Sequence, residues 1–393
     1  MLGAEDVPSS DFVGQTIGKI MENAAIAGAK PARATGALRP TYRIDRSFEW
    51  NAANGPDYDG PWPTVPETAL KDFLGLKVRS RLGVSASILT SARWVETYAR
   101  LGFDILTYKT VRSGPRLCYD LPNWRFLDPA TVADLADEDV AQRVVPATSE
   151  RPLDVTAVGS FGMPSSAPSF WTQDIAQSRA RLGPGQILIV SVVATVGEGT
   201  TEADVVAEFE TLARRVRQAG ADAVEANLSC PNVGRREGEV YRNPELAAKI
   251  ASAIRRGAGG APVTVKVGHI AEPALLEALL RALDGKADGI TMINGASRRI
   301  VDASGAPAFG AGREQAGVIG GALHHLALDM VRKAAAIVRR DKLAVKLIGV
   351  GGANSPERIA AFLDAGAIGV EMASGAVWHP HLAIEAKRAL PDL

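Results

Sequence analysis

The residues with the clearest chemical content lie in one hexapeptide, Asn227-Leu228-Ser229-Cys230-Pro231-Asn232, directly behind an apolar run. An asparagine side chain offers an acceptor and two donors, which suits a ring of alternating carbonyl and N–H groups. A thiol between two such readers is placed to move a proton on the bound ring. Cys230 therefore reads as a base, whereas Cys118, outside any such setting, reads as a small buried hydrophobe. Lys266, in Val263-Thr264-Val265-Lys266-Val267, is a second candidate. Pointing inward from a strand it is costly without an anionic partner; the alternative is a lysine that snorkels to water.

Three glycine-bearing segments suit a phosphate. Gly351-Gly352 carries no side chain to block the approach of an anion to backbone N–H groups, and Ala373-Ser374-Gly375 adds a hydroxyl. Gly320-Gly321 opens a helix whose first amides are free to face the same anion. Any one of these explains itself as a tight turn, but three converging segments favour a phosphate-bearing ligand.

These residues must be positioned by the elements around them. From Leu74 onward, short apolar runs alternate with longer helical patterns. Strands are predicted at Gly83–Ser87, Phe103–Tyr108, Ile187–Ala194, Ala223–Leu228, Pro262–Val267, Gly289–Ile293, Val345–Val350 and Gly369–Met372. Helices are predicted at Ser91–Leu101, Thr201–Ala219, Pro244–Arg256, Pro273–Leu283, Ala322–Arg340 and Pro356–Ala365. Thr201 and Asp204 have capping-box spacing, and Ser355-Pro356 supplies an N-cap with proline behind it. Gly220, Gly257 and Gly366 are read as left-handed helix ends. Runs too apolar for a half-exposed sheet imply parallel strands covered on both faces, and eight such units predict an α/β fold, a (β/α)8 TIM barrel. An open doubly wound sheet is the alternative; it lacks the Gly-x-Gly-x-x-Gly turn. In a barrel the chemistry sits at the carboxyl ends of the strands, where Lys109-Thr110, Asn227, Lys266, Asn294, Gly351-Gly352 and Ala373-Ser374 all fall.

Residues 1–73 read differently, with Pro and Gly clusters and one amphipathic stretch at Phe12–Ala27, and are expected to form an irregular N-terminal extension packed on a barrel of residues 74–393. The long Val111–Leu182 segment is expected to cover the site or to make a subunit contact. Lysine plus arginine and aspartate plus glutamate both total 44 in 393 residues, so a nucleic-acid partner is disfavoured. Two cysteines are too few for a disulfide framework, a four-cysteine zinc site or an iron–sulfur cluster, and the five histidines lack metalloprotease spacing, so no metal is expected. The opening residues lack a leader pattern and no run reaches transmembrane length, so a cytoplasmic protein is expected.

The segment Asn227 to Asn232 resembles the signature of the dihydroorotate dehydrogenase family, flavin barrels related to the pyrimidine-reducing domain of dihydropyrimidine dehydrogenase. The resemblance runs from about Leu74 to Pro380 and takes in Ala86-Ser87, Lys109-Thr110, Phe161-Gly162-Met163-Pro164, Lys266, Asp288-Gly289 with Asn294, Ile319-Gly320-Gly321 and Gly349 to Gly352. It implies FMN at the barrel mouth, touched by Ala86, Ser87, Lys109, Thr110 and Asn227. Lys266 would lie beside the flavin N1 edge, where the reduced ring supplies the anion an inward lysine needs. Gly320, Gly321, Gly351, Gly352, Ala373 and Ser374 would hold the phosphate. Lys109, Phe161, Gly162, Met163, Asn227, Asn232 and Asn294 would hold a small-molecule substrate, dihydroorotate, with Cys230 removing the C5 proton as hydride leaves C6. A cysteine base is similar to the soluble class of the family. The same resemblance implies a homo-oligomer and leaves room for an electron-transfer partner subunit.

Two positions depart from the pattern. Gly159 stands where the family has an asparagine that grips the substrate carboxylate, and Gly295 where a hydroxyl residue is usual. They admit a second reading, a dihydropyrimidine or cyclic amide lacking the carboxylate. Arg235 or Arg298 could replace the lost grip; as ordinary loop charges both would be solvated. A non-catalytic barrel that binds a phosphorylated ligand is a third reading.

Overall fold

The computed structural model describes residues 40–132, 135–146, 156–229 and 239–393. A short hairpin comes first, β1 (Lys71–Phe73) and β2 (Leu76–Val78), then β3 (Leu82–Val84) and β4 (Ile105–Val111). The chain continues through β5 (Trp124–Leu127), β6 (Gln142–Val145), β7 (Thr156–Gly159), β8 (Ile187–Val192), β9 (Ala223–Asn227), β10 (Val263–Val267) and β11 (Gly289–Met292). The last strands are β12 (Ala296–Val301), β13 (Gln315–Gly320), β14 (Lys346–Val350) and β15 (Ala367–Met372). Eight of them close a barrel in the order β10-β11-β14-β15-β3-β4-β8-β9, and each neighbouring pair is parallel. All eight predicted barrel strands are present, and the open-sheet alternative is excluded.

Helices α1 (Phe48–Asn54), α2 (Ala92–Arg100), α3 (Pro129–Val132), α4 (Pro168–Ala180), α5 (Glu202–Gln218), α6 (Pro244–Ala258), α7 (Pro273–Leu283), α8 (Leu323–Asp341), α9 (Pro356–Asp364), α10 (Ser374–Trp378) and α11 (Leu382–Ala389) complete the described elements. The capping box at Thr201 forms in both directions, Asp204 N to Thr201 Oγ1 at 3.2 Å and Thr201 N to Asp204 Oδ2 at 2.9 Å. Gly220 and Gly366 take the expected positive φ, at 112° and 106°. Gly257 does not: α6 runs past it and ends at Gly259, with φ 59°. Gly257 instead lets α5 pack close, because a Cβ there would collide with the Glu210 carbonyl oxygen.

Between β4 and β8, and between β11 and β14, the chain makes excursions that no run of apolar residues announces. Their strands form a second closed sheet, β12-β13-β7-β5-β6. The long Val111–Leu182 segment supplies β5, β6 and β7 to this sheet and then α4 to the barrel wall. The opposite end of the barrel is plugged by the β1–β2 hairpin, which turns through Leu74 and Gly75 at φ 56° and 83°, a two-residue turn of the type that suits twisted strands. Phe73 packs with Val78, Ile105, Ile187, Ile189 and Ile348. The expected boundary between residues 73 and 74 thus falls inside this hairpin, with one strand on each side.

Residues 41–54 lie against the barrel. Thr41 N donates to the Val377 carbonyl at 3.0 Å, and Trp94 Nε1 of α2 donates to the Asn51 carbonyl at 2.9 Å. The Phe12–Ala27 stretch lies outside the described residues.

Candidate active site

The loops behind the barrel strands and the inner edge of the second sheet enclose one cleft. Its lining takes Ser85, Ala86 and Ser87 from behind β3, Lys109 from β4, Asn227 from β9 and Asn294 from behind β11. Gly320, Gly351, Gly352, Ala373 and Ser374 line it as well, together with Phe161 and Met163. Residues spread over most of the chain therefore meet in one place, as expected of strand ends in a barrel.

Local structure explains several placements. Strict alternation would turn Lys109 and Thr110 to opposite faces, but the β4–β8 ladder shifts register between Tyr108 and Val111. Such bulges re-aim side chains: Lys109 faces the cleft, while Thr110 Oγ1 sits 3.1 Å from Ser191 Oγ. Asn227 donates through Nδ2 to Thr110 Oγ1 at 3.3 Å, and its Oδ1 accepts from Ser229 N at 3.2 Å, which orients the amide. Asn294 Nδ2 donates to the Ser229 carbonyl, so it braces the start of the Cys230 loop.

The glycines form a cradle. A Cβ on Gly352 would stand 2.8 Å from the Gly320 carbonyl oxygen and 2.8 Å from His324 N. One on Gly375 would stand 2.8 Å from the Ala353 carbonyl, and one on Gly351 2.8 Å from the Ala327 methyl. Only residues without side chains allow this approach, and Gly352 also has φ 66°. The first amides of α10 and of α8 have no acceptor within their own helices. This bare backbone beside a largely apolar wall fits FMN, whose phosphate needs donors and whose ring needs a flat apolar slot.

Other predicted residues are close but not on the wall. Gly162 is buried under Tyr119, whose ring would lie 2.7 Å from a Cβ placed on it. Gly321 precedes α8 and its carbonyl accepts from Arg358 Nη1 at 3.1 Å. Lys266 is 1% exposed inside the barrel; it does not snorkel. Cys230 and Asn232, with Arg235, lie outside the described residues.

Arg298 matches neither expectation. It is 2% exposed, and its guanidinium is spent on backbone carbonyls, with Nε to Leu135 O at 3.1 Å and Nη1 to Ser297 O at 2.6 Å. A group so engaged within the second sheet is neither a solvated charge nor an anion grip. Cys118 is half-buried rather than buried, and burial together with Glu49 pushes its thiol up to about 12.

Sequence reasoning missed the aromatic part of the cleft. Tyr42 and Phe48 reach it from the arm and Trp124 from β5. The Tyr42 ring stacks on Trp124 at 6.3 Å and meets Phe161 edge-on at 6.2 Å. Phe161 also covers the place where Gly159 has no side chain: a Cβ there would lie 3.2 Å from its ring. Two arginines hold the loop that carries these residues. Arg112 Nε donates to the Met163 carbonyl at 3.2 Å, and Arg313 Nη2 to the Ser160 carbonyl at 2.9 Å. Met163 sits at φ 52°, unusual for a residue with a side chain and typical of a constrained functional loop. The aromatic residues of the arm were the one available signal.

The interior below the cleft is charged. Glu225 and Glu371 are both 0% exposed. Burial and mutual repulsion raise Glu371 to about 7 against the pull of Lys266 and a hydrogen bond from Thr107. Glu225 is raised as well, by burial.

Fold and cleft together define a (β/α)8 barrel protein with its ligand-binding cleft at the carboxyl ends of the strands. The model of the dihydroorotate dehydrogenase family matches residues 145–391. The chain is 33% identical over 363 residues to the dihydroorotate dehydrogenase of Dictyostelium discoideum, covering 88% of this chain and 96% of the relative. It is 34% identical over 224 residues to the catalytic subunit of dihydroorotate dehydrogenase B (NAD(+)) of Methanopyrus kandleri, covering 56% and 65%. It is 29% identical over 211 residues to the NAD-dependent dihydropyrimidine dehydrogenase subunit PreA of Escherichia coli, covering 51% and 47%. In fold it is similar to the Eimeria tenella DHODH solved in complex with ferulenol, with a TM-score of 0.62 at 14% identity over 99% of this chain and 93% of the other. The chain belongs to the dihydroorotate dehydrogenase family, oxidoreductases that act on CH–CH groups and are generally flavin-dependent. Among the described residues no helix is long and apolar enough to cross a membrane.

Proposed function

We propose that this protein is an FMN-dependent oxidoreductase that converts dihydroorotate to orotate. The observation that carries the reading is the meeting of Lys109, Asn227 and Asn294 with the Gly320, Gly351 and Gly352 cradle in one cleft. Asn227, Asn294 and, from the loop beyond, Asn232 would pair with the carbonyl and N–H edges of the pyrimidine. Lys109 would offset its negative charge, and the backbone of Phe161, Gly162 and Met163 would close over the ring substituent. Cys230, next in sequence to the Ser229 that Asn227 and Asn294 bond, would remove the C5 proton as a general base. When bound, FMN supplies the two-electron acceptor that takes hydride from C6 at N5. Ala86, Ser87, Thr110 and Lys266 would support the ring, and Gly320, Gly321, Gly351, Gly352, Ala373 and Ser374 the phosphate. Tyr42 and Phe48 give the described part of the N-terminal arm a share in the site. Names among the relatives, a catalytic subunit and a PreA subunit, support an electron-accepting partner subunit.

Anaerobic addition of dihydroorotate to the purified yellow protein tests the proposal: the flavin absorbance bleaches. A colourless protein that takes up no FMN on reconstitution sinks it, and would favour a barrel that only binds a phosphorylated ligand.

One observation favours a second reading. The Phe161 ring fills the space beside Gly159, among Tyr42 and Trp124, so the cleft is apolar where a carboxylate grip is expected. A dihydropyrimidine or cyclic amide without the carboxylate fits such a wall. Bleaching by dihydrouracil but not by dihydroorotate distinguishes it.

A further inference from the structure

Among the described residues that line the cleft, Lys109 is the one charged side chain. The wall otherwise includes four aromatic rings, Tyr42, Phe48, Trp124 and Phe161, with Met163 and Ile319. In so apolar a setting a charge acts strongly, and recognition of an anionic ligand falls to this ammonium. A lysine is a poor fixed point by itself. Its charge rides on four flexible carbons, and ordering them on binding costs affinity.

Phe48 is placed to hold it. Lys109 Nζ lies over the Phe48 ring, 5.9 Å from the centroid, within the reach of a cation–π contact. The ring is half-buried and packs against none of the hydrophobic clusters formed by the described residues. Core packing therefore does not explain it; it faces the cleft instead.

The backbone that carries Phe48 is fixed from several sides. Ser47 Oγ accepts from Trp50 N at 3.1 Å and starts α1. Asn51, completely buried, donates through Nδ2 to the carbonyls of Arg43 and Ser47, both at 2.9 Å. Its Oδ1 accepts from Arg43 N at 2.8 Å, and its carbonyl takes the Trp94 bond from α2. Glu49 Oε1 accepts from Cys118 N at 3.3 Å. Arg313 holds the continuation of that loop through the carbonyls of Asp120 and Pro122, both at 2.8 Å. Phe48 is thus a fixed part of the wall.

We propose that Phe48, carried in by the arm, is the positioning residue for Lys109 and tunes the cleft to a cyclic substrate with a negative charge. The inference deepens the reading above and rests on it, because there Lys109 offsets the charge of the substrate. The ring holds the ammonium at the wall before the ligand arrives, so less side-chain freedom is lost on binding. A neutral cyclic amide gains nothing from this arrangement, so the arm favours the anionic substrate over the neutral one.

Calorimetric titration of the flavin-loaded protein with orotate tests this on wild type, Phe48→Leu, Lys109→Met and the double variant. Leucine keeps an apolar side chain and removes the π face. Phe48→Leu should weaken orotate binding by about three- to thirtyfold, the span of cation–π contacts from exposed to desolvated. In the Lys109→Met background the same substitution should change affinity by no more than about twofold. Phe48→Tyr keeps the π face and should stay within about twofold of wild type. Equal losses with and without Lys109 would make Phe48 a plain wall and overturn the proposal. So would a Phe48→Leu protein that binds like wild type, or a Phe48→Tyr protein that binds like the leucine variant. Orotate affinity untouched by Lys109→Met, or a wild type that binds no orotate, overturns the functional reading first and this inference with it.

Discussion

Lys387 Nζ lies 2.7 Å from Asp104 Oδ2, and both side chains are completely buried. Asp104 begins the turn into β4 and also accepts from Ser80 Oγ at 2.6 Å and Arg79 Nε at 3.2 Å. The pair ties α11 to the barrel strand that carries Lys109, so the last helix of the chain helps to fix the cleft. Breaking such a pair leaves an uncompensated buried charge. Asp104→Asn should therefore destabilise by about 3–5 kcal/mol in urea unfolding. Lys387→Met should cost less, because Asp104 keeps Arg79 and Ser80. An Asp104→Asn protein as stable as wild type removes this role.

Cys230→Ala should retain its flavin spectrum and lose dihydroorotate oxidation by about 10²–10⁴, read from anaerobic single-turnover bleaching. Loss of flavin along with activity would point to a folding defect rather than a missing base.

The cradle predicts an asymmetric response. Gly352→Val places a branched side chain against the Gly320 carbonyl and His324 N, at a positive φ. Flavin content after purification should fall at least about tenfold, about 1.4 kcal/mol of binding. Gly114, with nothing within 4 Å, should accept alanine without change in flavin content.

Restoring the asparagine alone should fail. A Cβ on residue 159 meets the Phe161 ring at 3.2 Å, so Gly159→Asn is expected to gain nothing on dihydroorotate unless the ring is removed. Gly159→Asn with Phe161→Met should raise kcat/KM for dihydroorotate by about tenfold or more, the worth of a hydrogen bond to a charged group. No gain in the double variant would favour the substrate without a carboxylate.

The buried carboxyl also predicts a pH dependence of stability. Glu371 is raised from an ordinary 4.5 to about 7 in the fold, so the folded protein holds a proton that the unfolded chain has released. Its contribution is present below pH 4.5 and is lost as pH rises toward 7, by roughly 3 kcal/mol. Glu371→Gln should flatten that part of the urea stability profile; an unchanged profile assigns the effect to another group.

The eight barrel strands were legible because a parallel strand covered on both faces must be apolar along its whole length, and runs such as Ile187-Leu188-Ile189-Val190 can be nothing else. The second sheet was not. Strands β5, β6 and β7 have four residues each, and the β12 and β13 strands that pair with β6 and β7 and close the sheet lie more than a hundred residues away, so no long apolar run marks them and most of the closure is not local. Gly257 was misread as a helix end because a glycine chosen for close packing and one chosen for left-handed φ look alike in sequence.

The sequence by itself determined which residue types would stand at the strand ends: a barrel has one register of alternation and one catalytic end, so Lys109, Asn227, Asn294 and the paired glycines could be placed before any fold was seen. For Lys266 it left two placements open, inward or snorkelling, and the 1% exposure in the fold decides for the first. Only the tertiary structure decided what surrounds them. A glutamate in an apolar strand reads as an ordinary exposed position, and closure of the barrel alone brings Glu225 and Glu371 from opposite walls into the field of that lysine. Likewise the arm places Tyr42 against Trp124 and Phe161, a contact set by the packing of distant segments rather than by spacing along the chain.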